Sequence, residues 1–395
     1  MSGPSPRPPG PPPGTPGADP DDEAAAIALA GLPGIGPVGL GRLLAGSGGP
    51  AAAWEAVRAG RACRPGPPAA GGVPWAVAAR RVDPAARRAA ALAAGIRTTW
   101  LGRPDYPTRL AADPLPPPVL FWRGELTALQ RRCVAVVGTR RCTPAGSRLA
   151  WELGRDLAAA GVCVVSGLAL GIDGHAHLGA CAGGPGGTVG VAASGVDVAY
   201  PRRHAGLWER VVAAGAVLSE TAPGGGAQRW RFPARNRVIA GLADLVVVVE
   251  SHEGGGSQLT VDAALQRGVE VRAVPGPVHS SASAGTNQLL VDGAGPVRSA
   301  EDVLDALGEV RPPPAGRRRR SGGPGARPGP PPAAVPGVAD PTLRAVLAAV
   351  GWVPTSLNGV VTAAGMPVGA VGAALDQLVR MGAVVEERGW WQRVQ

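Results

Sequence analysis

Six short apolar runs, most followed by turns rich in glycine, hydroxyl or arginine residues, constrain the middle of this chain more than any other feature. They are "CVAVVG" (133–138), "GVCVVS" (161–166), "GTVGVAAS" (187–194), "GAVLSE" (215–220), "DLVVVVE" (244–250) and "VEVRAVPG" (269–276). Helical patterns such as "TPAGSRLAWELGRDLAAAG" (143–161) lie between most of them. A strand that is apolar along its whole length has no side to show to water, so both faces of its sheet must be covered. Alternation of such strands with helices produces a parallel sheet wrapped by helices. The expected fold class is therefore α/β, an extended Rossmann-like, doubly wound parallel sheet over residues 96–308.

The flanks read differently. Residues 1–20 are rich in proline and glycine and are expected to be a disordered tail. Residues 21–95 are alanine-rich and read as short helices broken by glycine turns, a small helical domain. Inside it, Gly34 to Gly39 spell GxGxxG, but a dinucleotide site needs a strand before that motif and the preceding segment here is helical. Two readings stay open: a helix–"LPGIG"–helix hairpin whose glycines admit a DNA phosphate, or an ordinary helix cap and turn. Residues 309–338 are a Pro/Gly/Arg-rich linker, expected to be disordered. Residues 339–395 read as three helices and a terminal hairpin, a winged helix. Its candidate recognition helix (369–381) carries only Arg380 and Asp376 as charges, too few donors to read a major groove, so an accessory or protein-contact role is expected.

Length allows two or three domains with a substantial core. All 39 basic residues are arginine. With so much alanine, glycine and proline beside them, this points to codon bias, so arginines count only where they cluster. The formal net charge of +10 suggests an acidic partner. Six of those charges (Arg311, Arg317 to Arg320, Arg327) sit in the acid-free stretch 311–337 of the linker, and removing them from +10 leaves +4 for the residues outside that stretch. The five cysteines form no CxxC pair, which fits a reducing compartment and no zinc framework. The N-terminus has no apolar h-region, and no run approaches the ~18 apolar residues of a membrane span. A soluble, cytoplasmic protein is expected, with no membrane partner.

In open α/β sheets ligands gather beyond the carboxyl ends of the strands. The turns there read "GTRRCTPAG", "SGLALGIDGHAH" (166–177), "SGVDVAYP" (194–201), "SETAPGGGAQRWRFPARNR" (219–237) and "EGGGSQLT" (253–260), the profile of a phosphate-binding rim. One window stands out. Composition would place about one arginine in nine residues, yet Arg229 to Arg237 holds four, with Trp230 and Phe232 among them and no acid from Thr221 to Ala243. Arginine grips backbone phosphate while an aromatic face stacks an unpaired base, worth ~1–3 kcal/mol per base. The window thus reads as a single-strand-binding loop, against the alternative of a surface loop whose aromatics plug the sheet. Asp173, His175 and His177 alternate in a helical segment and so face different ways, which argues against a metal site. No nucleophile elbow, kinase or P-loop signature is present, so no catalytic residue is named.

In their order, these turns resemble the DNA-processing protein A family (DprA, also called Smf). The matching segments include "YPTRLAADPLPPPVLFWRG" (106–124), "VVGTR" (136–140), "SGLALGIDGHAH" (166–177), "FPARNRVIAGLADLVVVVE" (232–250), "GSQLTVDAAL" (256–265) and "GTNQLLVDGA" (285–294). The resemblance implies a non-enzymatic protein without cofactor or metal that binds single-stranded DNA in a basic pocket. It also implies homodimerisation through the Rossmann-like domain and loading of RecA recombinase onto strands taken up in natural transformation. By position it assigns Thr139, Arg140, Gly167, Gly171, Phe232, Arg235, Asn236 and Arg237 to the DNA pocket, which Arg229 and Arg231 join from the basic window. Asp173 and His177 would support that pocket structurally, as would Gly256 and Ser257, where the family's "SGS" has become "GGS". A second departure puts Ser194 where a glycine turn is usual.

The rival reading is a nucleotide-binding or nucleotide-cleaving enzyme of the lysine-decarboxylase-like family, with its signature PGGxGTxxE. Laid on "EGGGSQLTV" (253–261), it places Val261 where the catalytic glutamate belongs and Asp262 one residue out of register. Hydrolysis would then lack its general base.

Overall fold

The computed structural model describes residues 19–62, 74–184, 186–308, 340–350, 355–387 and 390–393. The expected tail and linker lie outside these, apart from Asp19 and Pro20. The chain divides into two compact units, Met1–Val310 and Arg311–Gln395.

The first unit opens with five helices: α1 (Pro20–Ala30), α2 (Pro37–Ser47), α3 (Pro50–Arg58), α4 (Trp75–Ala79) and α5 (Pro84–Ala93). Four of them carry proline in the first turn, where its missing N–H costs no helical bond. Asp19 caps α1 by accepting from Asp21 N at 2.9 Å, and Asp83 caps α5 by accepting from Ala86 N at 3.1 Å.

The sheet and its helices follow as β1 (Arg97–Trp100), α6 (Thr108–Ala111), β2 (Val119–Gly124), β3 (Cys133–Val137), α7 (Pro144–Ala159), β4 (Cys163–Ser166), α8 (Ile172–Gly183) and β5 (Thr188–Val191). After these come α9 (Ala205–Ala214), β6 (Gly215–Ser219), α10 (Arg231–Leu242), β7 (Leu245–Val248), α11 (Gln258–Leu265), β8 (Glu270–Ala273), α12 (Ala284–Val291), β9 (Gly295–Pro296) and α13 (Ala300–Ala306). Their order across the sheet is β1-β2-β6-β5-β4-β3-β7-β8-β9. From β6 to β9 every pairing is parallel, and the six apolar runs of the sequence are β3 to β8.

The edge departs from expectation. β2 pairs antiparallel with β6, and β1 antiparallel with β2. "RTTW" lacks a continuous apolar run, yet Thr98 and Thr99 are fully buried. β2 alternates its residues between the sheet's two sides: Leu120 and Trp122 join one apolar cluster, Val119 and Phe121 the other. The second of these clusters also holds Ile27, Leu29, Trp54 and Trp75, so the N-terminal helices share a core with the sheet edge.

β3 is the centre of the winding. The chain steps outward from it through β4, β5 and β6, then returns to β3's other side for β7. The topological switch point, where such sheets open their ligand crevice, therefore lies between the carboxyl ends of β3 and β7.

The second unit comprises α14 (Pro341–Ala349), β10 (Thr355–Ser356), α15 (Leu357–Ala364), α16 (Val368–Arg380), β11 (Val384–Glu387) and β12 (Trp390–Arg393). Its small sheet runs β10-β12-β11, and Leu343, Val346, Val371, Leu375 and Leu378 fill its core, the layout of a winged helix. No single described helix is long and apolar enough to cross a membrane.

Helices α7 and α8 cross unusually closely. A Cβ on Gly154 would overlap the Ala176 carbonyl, one on Gly179 the Trp151 carbonyl, and one on Gly183 the Arg155 carbonyl. Glycine's helical penalty is accepted here because a methyl group would force the two backbones apart. Gly179→Ala is expected to lower stability by ~1–3 kcal/mol in urea unfolding, the cost of overpacking. Gly206→Ala in α9, where a Cβ meets open space, should show no loss and serves as the control.

Candidate nucleic-acid interface

The switch-point crevice is already filled. Glu250 follows β7, and its carboxylate accepts from Thr143 N (2.8 Å) and Thr143 Oγ1 (2.5 Å) at the start of α7. Thr143 Oγ1 in turn is bonded by Gly146 N at 3.0 Å, and a Cβ on Gly146 would overlap the Glu250 carboxylate. The Glu250 carbonyl takes Thr139 N at 2.7 Å. The positive end of α7, where a nucleotide's phosphates would sit in a dinucleotide-binding sheet, is thus met by the protein's own carboxylate.

The next helix start is treated in the same way. Asp173, in the first turn of α8, is buried and accepts from Gly167 N at 3.0 Å. Burial pushes its pKa up, while the Arg235 charge pulls it back. Gly171 enters α8 with φ +77°, and a Cβ there would overlap the Thr139 carbonyl. Gly167 is equally confined, between Arg235 and Asp173. Leu168 adopts φ +58° without glycine's freedom, a strain of about 1–2 kcal/mol, and its carbonyl contacts His204 Nδ1 at 3.0 Å.

With the helix starts closed, the exposed chemistry of the crest is a platform beside them. The Arg140 guanidinium lies 5.0 Å over the Phe232 ring, and the Tyr200 ring stands 5.6 Å from Phe232 at a tilt of 54°. Tyr200 is 47% exposed and Arg140 is exposed. Arg141, Arg202, Arg203 and Arg229 are exposed on the same crest turns. Among the described residues none of these arginines has an ion-pair partner. Thr139 stands half-buried at the platform's base, its Oγ1 accepting from Arg141 N at 3.2 Å.

Two of the residues assigned to the DNA pocket by sequence, Arg235 and Arg237, are buried in the fold. The "RWRFPARNR" window is a loop only at Arg229 and Trp230; from Arg231 it is the start of α10, which sends Arg235 and Arg237 inward. Arg235 Nη1 donates to the Gly167 and Val191 carbonyls, and its Nε donates to Asn236 Oδ1 at 3.2 Å. Burial lowers its pKa to about 10, so it stays a cation at neutral pH. Arg237 donates to the Leu115 carbonyl and to Glu220. Burial raises the Glu220 pKa to about 7, against the pull of Arg237. These two guanidiniums tie α10 to the sheet, and their acceptors lie far away in sequence, which is why the arginine count could not reveal them. Arg231 is half-buried and donates to the Gly226 carbonyl at 2.5 Å. Tyr200, Arg202 and Arg203 went unselected; the run "YPRRH" directly after the β5 turn was the available signal.

The remaining candidates sit away from the platform or beneath it. Ser257 is buried and its Oγ donates to Ser251 Oγ at 2.8 Å, while Gly256 is exposed at the start of α11. Ser194 is buried, its hydroxyl closing the turn onto the Val198 carbonyl at 2.7 Å. Val261, at the position of the rival enzyme's glutamate, is buried in α11, and Asp262 is exposed. Among the described residues no group of three or more His, Cys, Asp or Glu is arranged to hold a metal.

An open α/β sheet whose crevice is met by its own carboxylate and whose crest carries a cationic, aromatic platform defines a polyanion-binding class of protein. Comparison with known proteins narrows the class. Residues 97–308 match the family model of DNA recombination-mediator protein A. The DNA processing protein DprA of Bacillus subtilis is 39% identical over 216 residues, covering 54% of this chain and 72% of that protein. Protein Smf of Synechocystis is 34% identical over 307 residues, covering 72% of this chain and 77% of that protein. The X-ray structure of DNA processing protein A from Streptococcus pneumoniae superposes with a TM-score of 0.58 at 30% identity, covering 72% of this chain and 97% of that one. The chain belongs to the DprA/Smf family.

His177 of α8 is fully buried. Thr188 Oγ1 donates to the Val164 carbonyl at 2.7 Å, so it accepts from His177 Nδ1–H, also at 2.7 Å. Burial drives the His177 pKa down to about 3. Because this folded value lies below the usual 6.5, the unfolded chain binds the proton first as pH falls. The stabilisation is complete above pH ~6.5 and is lost progressively towards pH ~3, by at most ~1.4 kcal/mol per pH unit. Urea titrations of wild type and His177→Gln across this range should show the wild-type advantage shrinking with acid.

Proposed function

We propose that the chain binds single-stranded DNA on the crest of its sheet, with bases stacked on Phe232 and Tyr200 and phosphates held by Arg140 and the exposed arginines around it. One observation carries the reading: the Arg140–Phe232–Tyr200 stack, in which exposed Arg140 and Tyr200 flank a half-buried Phe232, with a cation and two rings within reach of one another. Stacking is available only to unpaired bases, since duplex bases already stack on one another. Gly167, Gly171, Asp173 and His177 hold the platform's floor, and Thr139 its edge. Arg235, Asn236 and Arg237 act from beneath by fixing α10.

The protein acts by binding, with no chemistry of its own; a buried valine stands where a hydrolytic carboxylate would be needed. Family membership supports a role in DNA processing, and the family's description as a recombination mediator supports delivery of the strand to RecA recombinase in the cytoplasm. Homodimerisation through the same unit is supported by aliphatic side chains left exposed on and near α11, β8 and α12, among them Leu265, Val278 and Val291. The boundaries 21–95, 96–308 and 339–395 describe the helical, DNA-binding and winged-helix parts, the last serving as an accessory module.

The test is affinity for a dT oligomer and for its duplex over a salt series. Single strands should win, with log K falling by ~0.7 per phosphate contact for each tenfold rise in salt. Arg140→Ala/Phe232→Ala should weaken single-strand binding by ~10-fold or more and flatten the salt slope, from the loss of one stacking partner and one phosphate contact. Undiminished binding in that variant would place the DNA elsewhere. Arg235→Met should instead lower thermal stability, because it leaves the Gly167 and Val191 carbonyls buried without their donor.

A further inference from the structure

A cavity of about 770 Å³ opens beside the platform, within the first unit. Its floor is the end of β5 (Val191 to Ala193) and the turn after β6; one wall is the Gly34–Pro37 turn between α1 and α2, and the other is Trp230 and Arg231. This is the "GIGP" turn that the sequence singled out and that the platform does not use. The volume falls within the ~300–1,000 Å³ typical of small-ligand sites and accommodates a nucleotide.

Its chemistry is that of a site for an anion carrying a flat ring. Arg87 of α5 reaches the rim against Gly31 and has no ion-pair partner among the described residues. Arg231 has no ion-pair partner among the described residues: one nitrogen is spent on the Gly226 carbonyl, and the guanidinium lies 5.2 Å over the Trp230 ring. Burial lowers the Arg231 pKa, so an anion entering the cavity would meet a poorly hydrated cation. The one acid in the lining, Glu220, is engaged by Arg237. Trp230 is 51% exposed, with Nε1 donating to Gln228 Oε1 at 2.6 Å. Trp230 and Phe232 are two residues apart at the start of α10, and a helix turns such side chains to nearly opposite sides. One ring therefore lines the cavity while the other lies on the platform, and a strand passing over the start of α10 meets both.

We propose that this cavity is a second nucleotide subsite, in which a strand already stacked on Phe232 places its next phosphate with Arg87 and Arg231 and a base against Trp230. The assignment rests on the reading of the platform as the single-strand interface. The N-terminal helices then contribute directly to the DNA footprint, through Arg87 and the Gly34–Pro37 turn.

The experiment measures the affinity of the full chain for a ladder of dT oligomers from about 4 to about 16 nucleotides, the span of common single-strand site sizes, and for dTMP. The variants are Arg87→Glu, Trp230→Ala and Arg140→Ala/Phe232→Ala; Arg87 is exposed, and matching melting temperatures check its folding. The expected result is a step of about tenfold in wild-type affinity once the oligomer is long enough to reach the cavity, on the scale of one stacked base. Arg87→Glu and Trp230→Ala should lose that step and keep wild-type affinity for the shortest oligomers. Photocrosslinking of a 5-iodouracil-substituted oligomer should mark Trp230 or residues 31–37. An unchanged ladder in both single variants overturns the proposal. So does saturable dTMP binding that Arg87→Glu abolishes while the ladder stays intact, which would make the cavity a site for a free nucleotide. Wild-type affinity for the shortest oligomers in Arg140→Ala/Phe232→Ala would instead sink the platform reading, an outcome separate from the length step.

Discussion

The carboxylate of Glu250 decides what kind of site this sheet can offer. Doubly wound sheets present a crevice at their switch point, with a helix start aimed into it, and that combination suits the phosphates of a bound nucleotide. Here Glu250 satisfies Thr143 and sits against Gly146 at that spot. Asp173 repeats the device one helix further along. The electrostatic attraction normally spent on a small ligand is spent inside the fold. The proposed binding surface is the outer crest, where exposed arginines and Tyr200 face solvent. Such a surface is open-ended and suited to an extended polyanion, whereas a closed crevice selects one compact molecule.

The arginines divide accordingly. Arg235 and Arg237 are buried, and their donors are met by the Gly167, Val191 and Leu115 carbonyls and by Glu220, acceptors that would otherwise be left unpaired. Arg140 and Arg229 project outward and retain their hydration. One twelve-residue helix, α10, thus anchors itself through its middle and carries the proposed stacking ring, Phe232, at its start. Its position fixes where Phe232 meets Arg140 and Tyr200, so the rigidity of the buried half sets the geometry of the exposed half.

Much of this was legible in the sequence. Continuous apolar runs can only be strands covered on both faces, so β3 to β8 and the winding around them followed from pattern alone. β1 and β2 were not legible that way, because "RTTW" buries threonines and β2 splits its residues between two clusters. Within the site, the turns and the acid-free window pointed to the crest, and Arg140 and Phe232 do meet there. The division between buried and exposed arginines was hidden, since it depends on carbonyls of Gly167, Val191 and Leu115 that only the tertiary fold brings to α10. The role of Glu250 was equally invisible: it closes "DLVVVVE" as one more residue at a strand end, and nothing local links it to Thr143.

The most direct test of the account is a crystal structure of the protein bound to a dT oligomer. The account places a thymine against Phe232 and Tyr200, a phosphate on Arg140, and no DNA contact to Glu250 or to the start of α7. A strand threaded between Glu250 and Thr143, or one that leaves Phe232 and Arg140 untouched, would contradict it.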